Sequence, residues 1–358
     1  MAGREALLHQ AYLDSIGAQY AEITCVTASP ASAGRRLGDI VAEKEARLSD
    51  AYPFWKPMRC PASLADLRVD ATDPDVISGK ADYAISALGS DIARQIEPAL
   101  TRRGIHVFSN ASAYRWAEDV PLLIPEVNHA HLDHASAQST TGKLVCNPNC
   151  TTAGFVPLAN ALMEDGLVID WMSVVTQQAL SGKGDAIADP AYAENTTGNV
   201  WDDWTADGYN AEEWKSSHEP HKILGGIHTT EDSPPFPIHT HTTRVSTQYG
   251  HLEHVSIESF GQIIDVRDIG AQLAAYRIHP DVRDLPSTPE QLFTVIDRMP
   301  EPRRDVYAGD GMSVVIGDLR QLGPSGISMT TLSHNLRRGA TWAGRQGLEL
   351  YLARHDML

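Results

Sequence analysis

The pattern of hydrophobic and polar positions predicts alternating helices and short strands in the first part of the chain. Residues 5–17 (EALLHQAYLDSIG) carry apolar residues at helical spacing, and residues 20–28 (YAEITCVTA) are rich in the β-branched residues that strands favour. Two short apolar runs, 81–88 and 104–110, predict buried strands on either side of an amphipathic helix over 90–104. This order predicts half of a doubly wound α/β sheet, which binds ligands at the carboxyl ends of its strands.

The rest of the chain shows longer alternation of apolar and polar residues, in the stretches 167–180, 239–250, 251–260 and 313–321. A period of two is typical of strands with one buried face, so we predict a mostly antiparallel sheet. We divide the chain into a first domain (1–149) and a second domain (150–333), and expect a helix over about 334–354, within the terminal segment 334–358, to return to the first domain. Residues 183–240 are rich in Asp, Pro, Gly and Trp, which predicts loose structure.

Composition narrows the class of partner. The 358 residues include 46 acidic and 29 basic ones, and the formal charge of -17 disfavours nucleic acid or an anionic membrane as the main partner. No apolar run reaches the roughly 18 residues that a membrane span requires, and the start MAGREALLHQ lacks the apolar centre of a signal peptide, so we expect a cytoplasmic protein. The four cysteines lack metal-ligand spacing, so we predict neither a disulfide framework nor a metal site.

One of these cysteines stands where a reactive thiol is expected. Cys150 lies in NPNCTT (147–152), between the apolar residues 144–145 and a predicted helix over 153–166. A helix N-terminus favours the thiolate, which is the nucleophilic form of cysteine. Cys150 is therefore a candidate nucleophile, the alternative being a small residue packed at a turn.

Five motifs resemble those of a known family. SNASAYR…EDVPLLIPEVN, NPNCTT, QALSGKG, TTRVSTQYGH and LSHNLRRGA occur in the order, and at nearly the spacing, found in aspartate-semialdehyde dehydrogenases, most like the archaeal and fungal branch. The resemblance covers almost the whole chain. It implies a Rossmann-like NADP-binding first domain and an α+β catalytic and dimerisation domain, assembled as a homodimer or homotetramer. The implied reaction interconverts L-aspartyl 4-phosphate and L-aspartate 4-semialdehyde with NADP, in the biosynthesis of lysine, threonine, methionine and isoleucine.

The resemblance assigns catalytic roles to residues of these motifs. Cys150 would form a thioester with the substrate, His251 would act as acid and base, and Gln178 would orient the acyl intermediate. Arg244 would hold the substrate carboxylate with its planar guanidinium. Because strand residues alternate between faces, Gln177 and Gln178 cannot both point inward. The alternative for Arg244 and His251 is a surface arginine and a histidine whose hydrogen bonds are satisfied at a strand end.

The same resemblance assigns the two ends of the substrate. Arg115 and Lys215 would bind phosphate, Glu212 would meet the substrate amino group, and Asn149 would also contact the substrate. Glu212 and Lys215 are three residues apart, so on a helix they would share one face. The alternative is an ordinary solvated Glu-x-x-Lys helix face.

Residues that the resemblance places around NADP fall into four segments. Hydroxyls and positive charge in the loop TASPASAGRR favour a 2′-phosphate over the free ribose hydroxyl of NAD. Glycines would let the nicotinamide approach the backbone, although Lys183 departs from the small residue usual in the family. Each of these positions could instead reflect ordinary turn and strand-end polarity. The implied cofactor residues are Ser29, Ser32, Arg35, Ser86, Leu88, Ser181, Gly182 and Asn335.

The beginning of the chain departs from the family pattern. Members begin with a strand and a glycine-rich turn, GxTGxxG, that binds the pyrophosphate. Here Gly3 matches the last glycine of that turn and Met1 an internal methionine, so we expect the true start about a dozen residues upstream. If Met1 is the native start, we expect weak NADP binding.

Two alternatives to this activity stay open. A relative using the same thioester chemistry could take another acyl donor, such as malonyl-CoA. A truncated cofactor loop could also indicate a catalytically silent paralogue that acts as a subunit or regulator. The presence of Cys150, Gln178, Arg244 and His251 argues against the silent paralogue, because such a protein has no chemical need for all four.

Overall fold

The computed structural model describes residues 21–196, 210–225 and 235–358. The predicted helix over 5–17, and Gly3, lie outside these residues. The strands are β1 (Thr27–Ala28), β2 (Asp70–Ala71), β3 (Tyr83–Ser86), β4 (His106–Ser109), β5 (Leu144–Cys146), β6 (Trp171–Ala179), β7 (Ile238–Val245), β8 (His251–Glu258), β9 (Phe293–Val295), β10 (Val314–Leu322) and β11 (Gly326–Ser333).

Twelve α-helices lie within the described residues. They are α1 (Leu37–Ala51), α2 (Ala62–Ala65), α3 (Pro74–Ser78), α4 (Ser90–Arg102), α5 (Pro125–Asn128), α6 (Thr152–Glu164), α7 (Pro190–Thr196), α8 (Ala211–Gly225), α9 (Val266–Ala275), α10 (Pro280–Arg283), α11 (Pro302–Asp305) and α12 (Trp342–Arg354). None of these helices is long and apolar enough to cross a membrane.

Short parallel strands form the first part of the fold. β3, β4 and β5 make a three-stranded sheet, and β1 pairs with β2 in a separate parallel sheet. Among the described residues no strand joins the two sheets. The strand predicted over 20–28 is wrong in extent, because only Thr27 and Ala28 have partners in β2. Strand length depends on the partner strand as well as on local composition.

The terminal helix α12 packs against β4. The Tyr351 hydroxyl lies 3.3 Å from Nε2 of His106, and its ring meets that of Phe108 edge to face at 6.1 Å. The helix predicted to start at about 334 starts later: α12 begins at Trp342, after a wide π-type turn, Arg337–Thr341. That turn lies against Cys150, as described below.

A six-stranded sheet of order β7-β6-β8-β11-β10-β9 forms the second part. Three of its five pairings are antiparallel, as predicted, and two are parallel. Alternation sets its two faces: Met172 and Val174 are fully buried on the face that packs against helices, whereas Trp171 and Val175 are partly exposed on the other. The carboxyl end of β6 and the start of β8 lie at the edge that faces Cys150.

The prediction of loose structure over 183–240 is wrong for part of that range. α7 and α8 lie there, and α8 packs against β7. The apolar pattern of α8 is weak because several of its buried residues are polar, including Ser216, Glu219 and Lys222. A helix that buries polar side chains does not show the apolar stripe from which helices are predicted.

Candidate active site

Cys150 lies in the turn between β5 and α6, next to Thr151, which precedes the first residue of that helix. Its Sγ is 3.0 Å from Nε2 of His251. His251 is the first residue of β8 and is fully buried. The structure therefore brings the predicted nucleophile and the predicted acid–base residue into direct contact.

A backbone group determines which nitrogen of His251 carries the proton. The N–H of Ala179, the last residue of β6, donates to Nδ1 of His251 at 3.0 Å. Because Nδ1 accepts this hydrogen bond, the proton of the neutral ring resides on Nε2, which faces the sulfur. Burial, and then the nearby Arg244, lower the pKa of His251 to about 3, so the ring is neutral at physiological pH.

Gln178 points toward the nucleophile but binds its neighbour. It is buried, whereas Gln177 is exposed, which confirms that only one of the pair faces inward. The amide of Gln178 donates to the hydroxyl of Thr151 at 2.8 Å. Gln178 thereby ties the end of β6 to the residue that follows Cys150.

Arg244 occupies the position in β7 that pairs with Gln178. It is buried, and its Nη1 donates to the Ala179 carbonyl at 2.9 Å. Gly182 covers this region from the following turn: a Cβ at Gly182 would lie 3.1 Å from Nη1 of Arg244 and 3.1 Å from Cε1 of His251. Only glycine leaves that space open.

Glu212 and Lys215 lie one turn apart on α8 and form an ion pair of 2.9 Å. Glu212 also accepts a hydrogen bond of 2.7 Å from the side chain of Asn149. Burial favours protonation of Glu212, but Lys215 and Arg244 outweigh it and hold the pKa of Glu212 at about 2. The predicted shared face is confirmed, with the glutamate ionised next to the cysteine turn.

The charges around Cys150 oppose one another. Burial and the carboxylate of Glu212 raise the pKa of the Cys150 thiol to about 12, whereas Arg244, Lys215 and Arg115 lower it. The thiol is therefore protonated when the site holds no substrate. Reaction requires a bound group that offsets the negative charge of Glu212 or adds positive charge near the sulfur.

Arg115 has a different setting from the one expected for a phosphate ligand. Its guanidinium is buried, with Nη1 2.7 Å from Oε1 of Glu219 and Nη2 donating to the Asn110 carbonyl at 2.7 Å. The other oxygen of Glu219 accepts from the backbone N–H of Asn149 at 2.6 Å and from the Thr152 hydroxyl at 3.1 Å. Two of the three guanidinium nitrogens are thus bound within the protein.

The predicted 2′-phosphate loop follows the carboxyl end of β1. Ser29 precedes a short 3₁₀ turn, Pro30–Ser32, and the backbone of Ser32 donates to the Ser29 carbonyl at 2.9 Å. Arg35 is exposed and pairs with Glu43 at 2.7 Å. These side chains reach solvent at a strand end, as a phosphate-binding loop requires.

Three predicted cofactor contacts are directed elsewhere. The Ser86 hydroxyl donates to the buried Glu97 at 2.7 Å, because strand alternation turns it toward α4. The Asn335 amide donates to the Ser181 hydroxyl at 2.9 Å and its oxygen accepts from the backbone N–H of Gly250 at 2.9 Å. Ser181 and Asn335 therefore fasten the Gly182 turn to the start of β8, and Leu88 is half-buried just after β3.

Three residues around the site escaped the sequence analysis. Glu219 and Lys222 continue the helical face of Glu212 and Lys215, so extending the spacing by one further turn would have found them. Gly339, in the π-type turn, lies so near the nucleophile that a Cβ would be 2.6 Å from Cβ of Cys150. Nothing in the local sequence indicates that contact.

One cluster elsewhere in the described residues has metal-ligand side chains. His129, His279 and Asp281 place potential ligand atoms within 4.8 Å of one another. The two imidazole rings are stacked, with centroids 4.2 Å apart and planes 25° apart. Nitrogen lone pairs lie in the ring planes, so stacked rings do not aim at one ion. The cluster contributes nothing to the site around Cys150.

Comparisons with known proteins show which family the chain resembles. The family model for the NAD-binding domain of semialdehyde dehydrogenase matches residues 10–135, and that for its dimerisation domain matches residues 159–338. An aspartate-semialdehyde dehydrogenase from Archaeoglobus fulgidus is 34% identical over 92% of this chain and 90% of its own length. A malonyl-CoA reductase (NADP) from Metallosphaera sedula is 29% identical over 90% of this chain and 87% of its own length.

A solved structure supports the same assignment. The crystal structure of aspartate-semialdehyde dehydrogenase with NADP from Candida albicans has a TM-score of 0.76 and 27% identity, covering 94% of this chain and 92% of that one. The predicted fold class, a dinucleotide-binding domain joined to an α+β dimerisation domain, is confirmed. The chain belongs to the aspartate-semialdehyde dehydrogenase family.

Proposed function

We propose that this protein interconverts L-aspartyl 4-phosphate and L-aspartate 4-semialdehyde with NADP through a thioester on Cys150. The observation that carries the proposal is the contact of 3.0 Å between Sγ of Cys150 and Nε2 of His251. Glu212 and Arg244 lie close enough to shift the pKa values of both Cys150 and His251. The relatives from Archaeoglobus and Candida carry the name of this activity.

Two charged side chains suit the two ends of an amino-acid substrate. The guanidinium of Arg244 can bind the α-carboxylate, and the ionised Glu212 can bind the α-ammonium group. A bound ammonium group would also offset the charge by which Glu212 raises the pKa of Cys150. Binding of the correct substrate therefore favours the thiolate that attacks it.

In the direction of aldehyde oxidation, Sγ of Cys150 bonds to the aldehyde carbon and the thiol proton is lost to the medium. The Nε2–H of His251 donates a hydrogen bond to the sulfur and then to the oxyanion of the hemithioacetal. Bound NADP supplies the hydride acceptor, which leaves a thioester on Cys150. Phosphate attacks the thioester carbon, the C–S bond breaks, and the acyl phosphate leaves with the thiolate restored.

The residues at this site fit a nicotinamide. Glycine at 182 leaves open the space next to His251 and Arg244 that a Cβ would fill. A nicotinamide would fit in that space, with Ser181 and Asn335 holding the turn. The loop of Ser29, Ser32 and Arg35, at the carboxyl end of β1, would bind the 2′-phosphate.

We also propose how the chain is organised and where it acts. Residues 1–149 with 334–358 form the cofactor domain, and residues 150–333 form the catalytic domain. The outer face of the six-stranded sheet, which carries Trp171 and Val175, forms the contact of a homodimer or of the dimers in a homotetramer. Because the proposed substrates are small phosphorylated metabolites, we place the enzyme in the cytoplasm.

An assay of NADP reduction on L-aspartate semialdehyde tests the activity. We expect turnover that depends on phosphate and is not supported by coenzyme A in its place. Cys150→Ser should abolish it, whereas the control Cys60→Ser, at a half-buried position outside the site, should retain it. Turnover with coenzyme A but not phosphate would instead indicate an acyl-CoA reductase, and activity in Cys150→Ser would exclude the thioester.

A further inference from the structure

A second contact between α6 and β8 lies beside the contact of Cys150 with His251. Gly154 follows Cys150 by four residues, and the backbone just before α6 is already helical. Glu253 follows His251 by two residues and therefore lies on the same face of β8. One helical turn rises about 6 Å and two strand residues rise about 7 Å, so Gly154 and Glu253 meet one step farther along both elements.

The carboxyl group of Glu253 occupies the space that a side chain at Gly154 would need. A Cβ at Gly154 would lie 2.5 Å from each carboxyl oxygen and 2.8 Å from the carboxyl carbon. Glu253 is fully buried, and the hydroxyl of Thr331 in β11 donates to its Oε2 at 2.8 Å, so the carboxyl group cannot turn aside freely. The contact with Gly154 therefore determines how closely α6 approaches the sheet.

The carboxyl group of Glu253 is held without a countercharge. Burial raises the pKa of Glu253 well above its ordinary value, and in the part of the chain that the structure describes no cation contributes to the shift. Its neighbours in register on β6 and β11 are Thr176 and Thr331, and His251 on its own strand is neutral. An amide of the same shape could therefore take its place.

We propose that Glu253 is a positioning residue that acts through Gly154. Its carboxyl group sets the separation between α6 and β8, and this separation sets the contact of Cys150 with His251. The expected effects on turnover rest on the proposed function. The expected effect on the thiol itself concerns only the position of Cys150 relative to His251.

Gly154→Ala should lower kcat by about tenfold or more, because the added methyl group pushes α6 away from β8 and misplaces the nucleophile. KM for aspartate semialdehyde and for phosphate should stay within about threefold, since neither residue of the contact binds substrate. The double variant Gly154→Ala/Glu253→Ala removes the overlap and should recover most of the lost kcat. If the losses of the two single variants instead multiply in the double variant, the proposal is overturned.

Two substitutions of Glu253 decide the question even if Gly154→Ala does not fold. Glu253→Gln keeps the shape of the side chain and should keep kcat within about threefold. Glu253→Ala leaves α6 unsupported and should lower kcat by about tenfold or more with KM unchanged. Equal losses of kcat in the two variants, or full kcat in Glu253→Ala, would overturn the positioning role.

The pH dependence of unfolding provides a readout that packing alone would not change. Unfolded glutamate has a pKa of about 4.3, so above about pH 5 unfolding releases the proton that Glu253 holds in the fold. Stability therefore falls as the pH rises. Between about pH 5 and pH 7 the unfolding equilibrium constant of wild type should rise about tenfold per pH unit more steeply than that of Glu253→Gln. Equal slopes would place a charged carboxylate against Gly154 and would overturn the proposal.

The rate of Cys150 alkylation by iodoacetamide, followed by peptide mass, separates this inference from the proposed function. The Nε2–H of His251 donates to the sulfur, so a longer separation removes a group that stabilises the thiolate. We expect alkylation at pH 8 to be about tenfold slower in Gly154→Ala, which corresponds to one pKa unit, and to return toward wild type in the double variant.

Gly270→Ala is the matched control for this measurement. Its added Cβ would make an ordinary contact of 3.4 Å with Leu319 in another part of the fold, and it should leave the alkylation rate unchanged. An unchanged or faster rate in Gly154→Ala would exclude the positioning role. The expected rates without turnover of aspartate semialdehyde would support this inference and contradict the proposed function.

Discussion

The reactivity of Cys150 depends on which charges lie nearest its sulfur. Burial and Glu212 hold the thiol protonated, and His251 faces the sulfur as a neutral ring with its proton on Nε2. The ligand-free pair is therefore not an ion pair of thiolate and imidazolium. Such a site protects the cysteine from oxidation and alkylation until substrate changes the local charge.

Removing the negative charge of Glu212 should make the Cys150 thiol of the free enzyme more reactive. Because this carboxylate raises the pKa of Cys150, Glu212→Gln lowers that pKa and increases the thiolate fraction at any pH below it. We expect iodoacetamide to alkylate Cys150 about tenfold faster at pH 8, which corresponds to one pKa unit. The measurement is the alkylation rate against pH, which for wild type should rise through pH 10 without a plateau.

Glu213→Gln is the control for this substitution. The carboxylate of Glu213 binds His241 at 2.9 Å and the backbone N–H of Thr242 at 2.9 Å instead of the cysteine turn. Its alkylation rate should match that of wild type. Slower alkylation in Glu212→Gln would mean that the carboxylate does not act on the sulfur electrostatically.

Sequence motifs predicted which residues lie together around Cys150 better than they predicted the hydrogen-bond partners of the proposed cofactor residues. Cys150, His251 and Gln178 converge as expected, since each belongs to a motif at a strand end or helix start. By contrast, Ser86 and Asn335 form hydrogen bonds with other protein side chains. The direction in which such a side chain points depends on the residues that pack around it. Glu97 lies 11 residues after Ser86, on the next helix, and Ser181 lies 154 residues before Asn335.

Among the helices, α8 contributes most to the site and was the least predictable. Four charged residues share one of its faces: Glu219 and Lys222 are buried, and Glu212 and Lys215 are partly buried. The helix therefore lacks the apolar stripe of a core helix, and only the Glu-x-x-Lys spacing indicated a helix. Burying such a row requires a partner for each charge. Those partners come from the segment 110–120 and from the cysteine turn, which no local pattern can reveal.

Lys222→Met tests how much the buried charges of α8 contribute to the stability of the fold. Lys222 donates to three backbone carbonyls, and Met fills its volume without replacing any donor. We expect the free energy of unfolding to fall by about 2–4 kcal/mol, measured by urea denaturation. Lys80→Met, which removes an exposed pair with Asp70, should cost under about 1 kcal/mol. Equal losses would mean that the three hydrogen bonds contribute little.

The π-type turn before α12 is the second element whose backbone packs directly against the site. A Cβ at Gly339 would lie 2.6 Å from Cβ and 2.9 Å from Cα of Cys150. Gly339→Ala must therefore displace the nucleophile or the turn, and we expect kcat to fall about 100-fold by this misplacement. The measurement is kcat together with the far-UV circular dichroism spectrum, which should be unchanged.

Gly270→Ala provides the comparison for Gly339→Ala. Gly270 lies in α9, and its added Cβ would make an ordinary contact of 3.4 Å with Leu319. This variant should keep wild-type kcat. Full activity in Gly339→Ala would show that the turn yields easily and does not set the position of Cys150.

Across the whole molecule, the class of each sheet was predictable, but strand lengths and helix boundaries were not. Alternation over 167–180 predicted β6 because one of its faces is buried against helices and the other is open. The extent of β1 depends on its pairing with β2, and the start of α12 depends on the approach of its preceding turn to Cys150. Both are contacts between distant segments.

The open face of the six-stranded sheet gives the last prediction. Val175 lies near the middle of β6 on this face, pairing with His241 of β7 and His254 of β8, and is 40% exposed. In a two-fold symmetric dimer each substitution occurs twice at one interface, so Val175→Glu would bring two carboxylates into it. We expect the dimer dissociation constant, measured by sedimentation equilibrium, to rise about 100-fold or more. Val76→Glu introduces the same charge at a similarly exposed valine of α3 and should leave association unchanged. The sheet face would not be the contact if Val76→Glu weakened association as much as Val175→Glu, or if neither substitution weakened it.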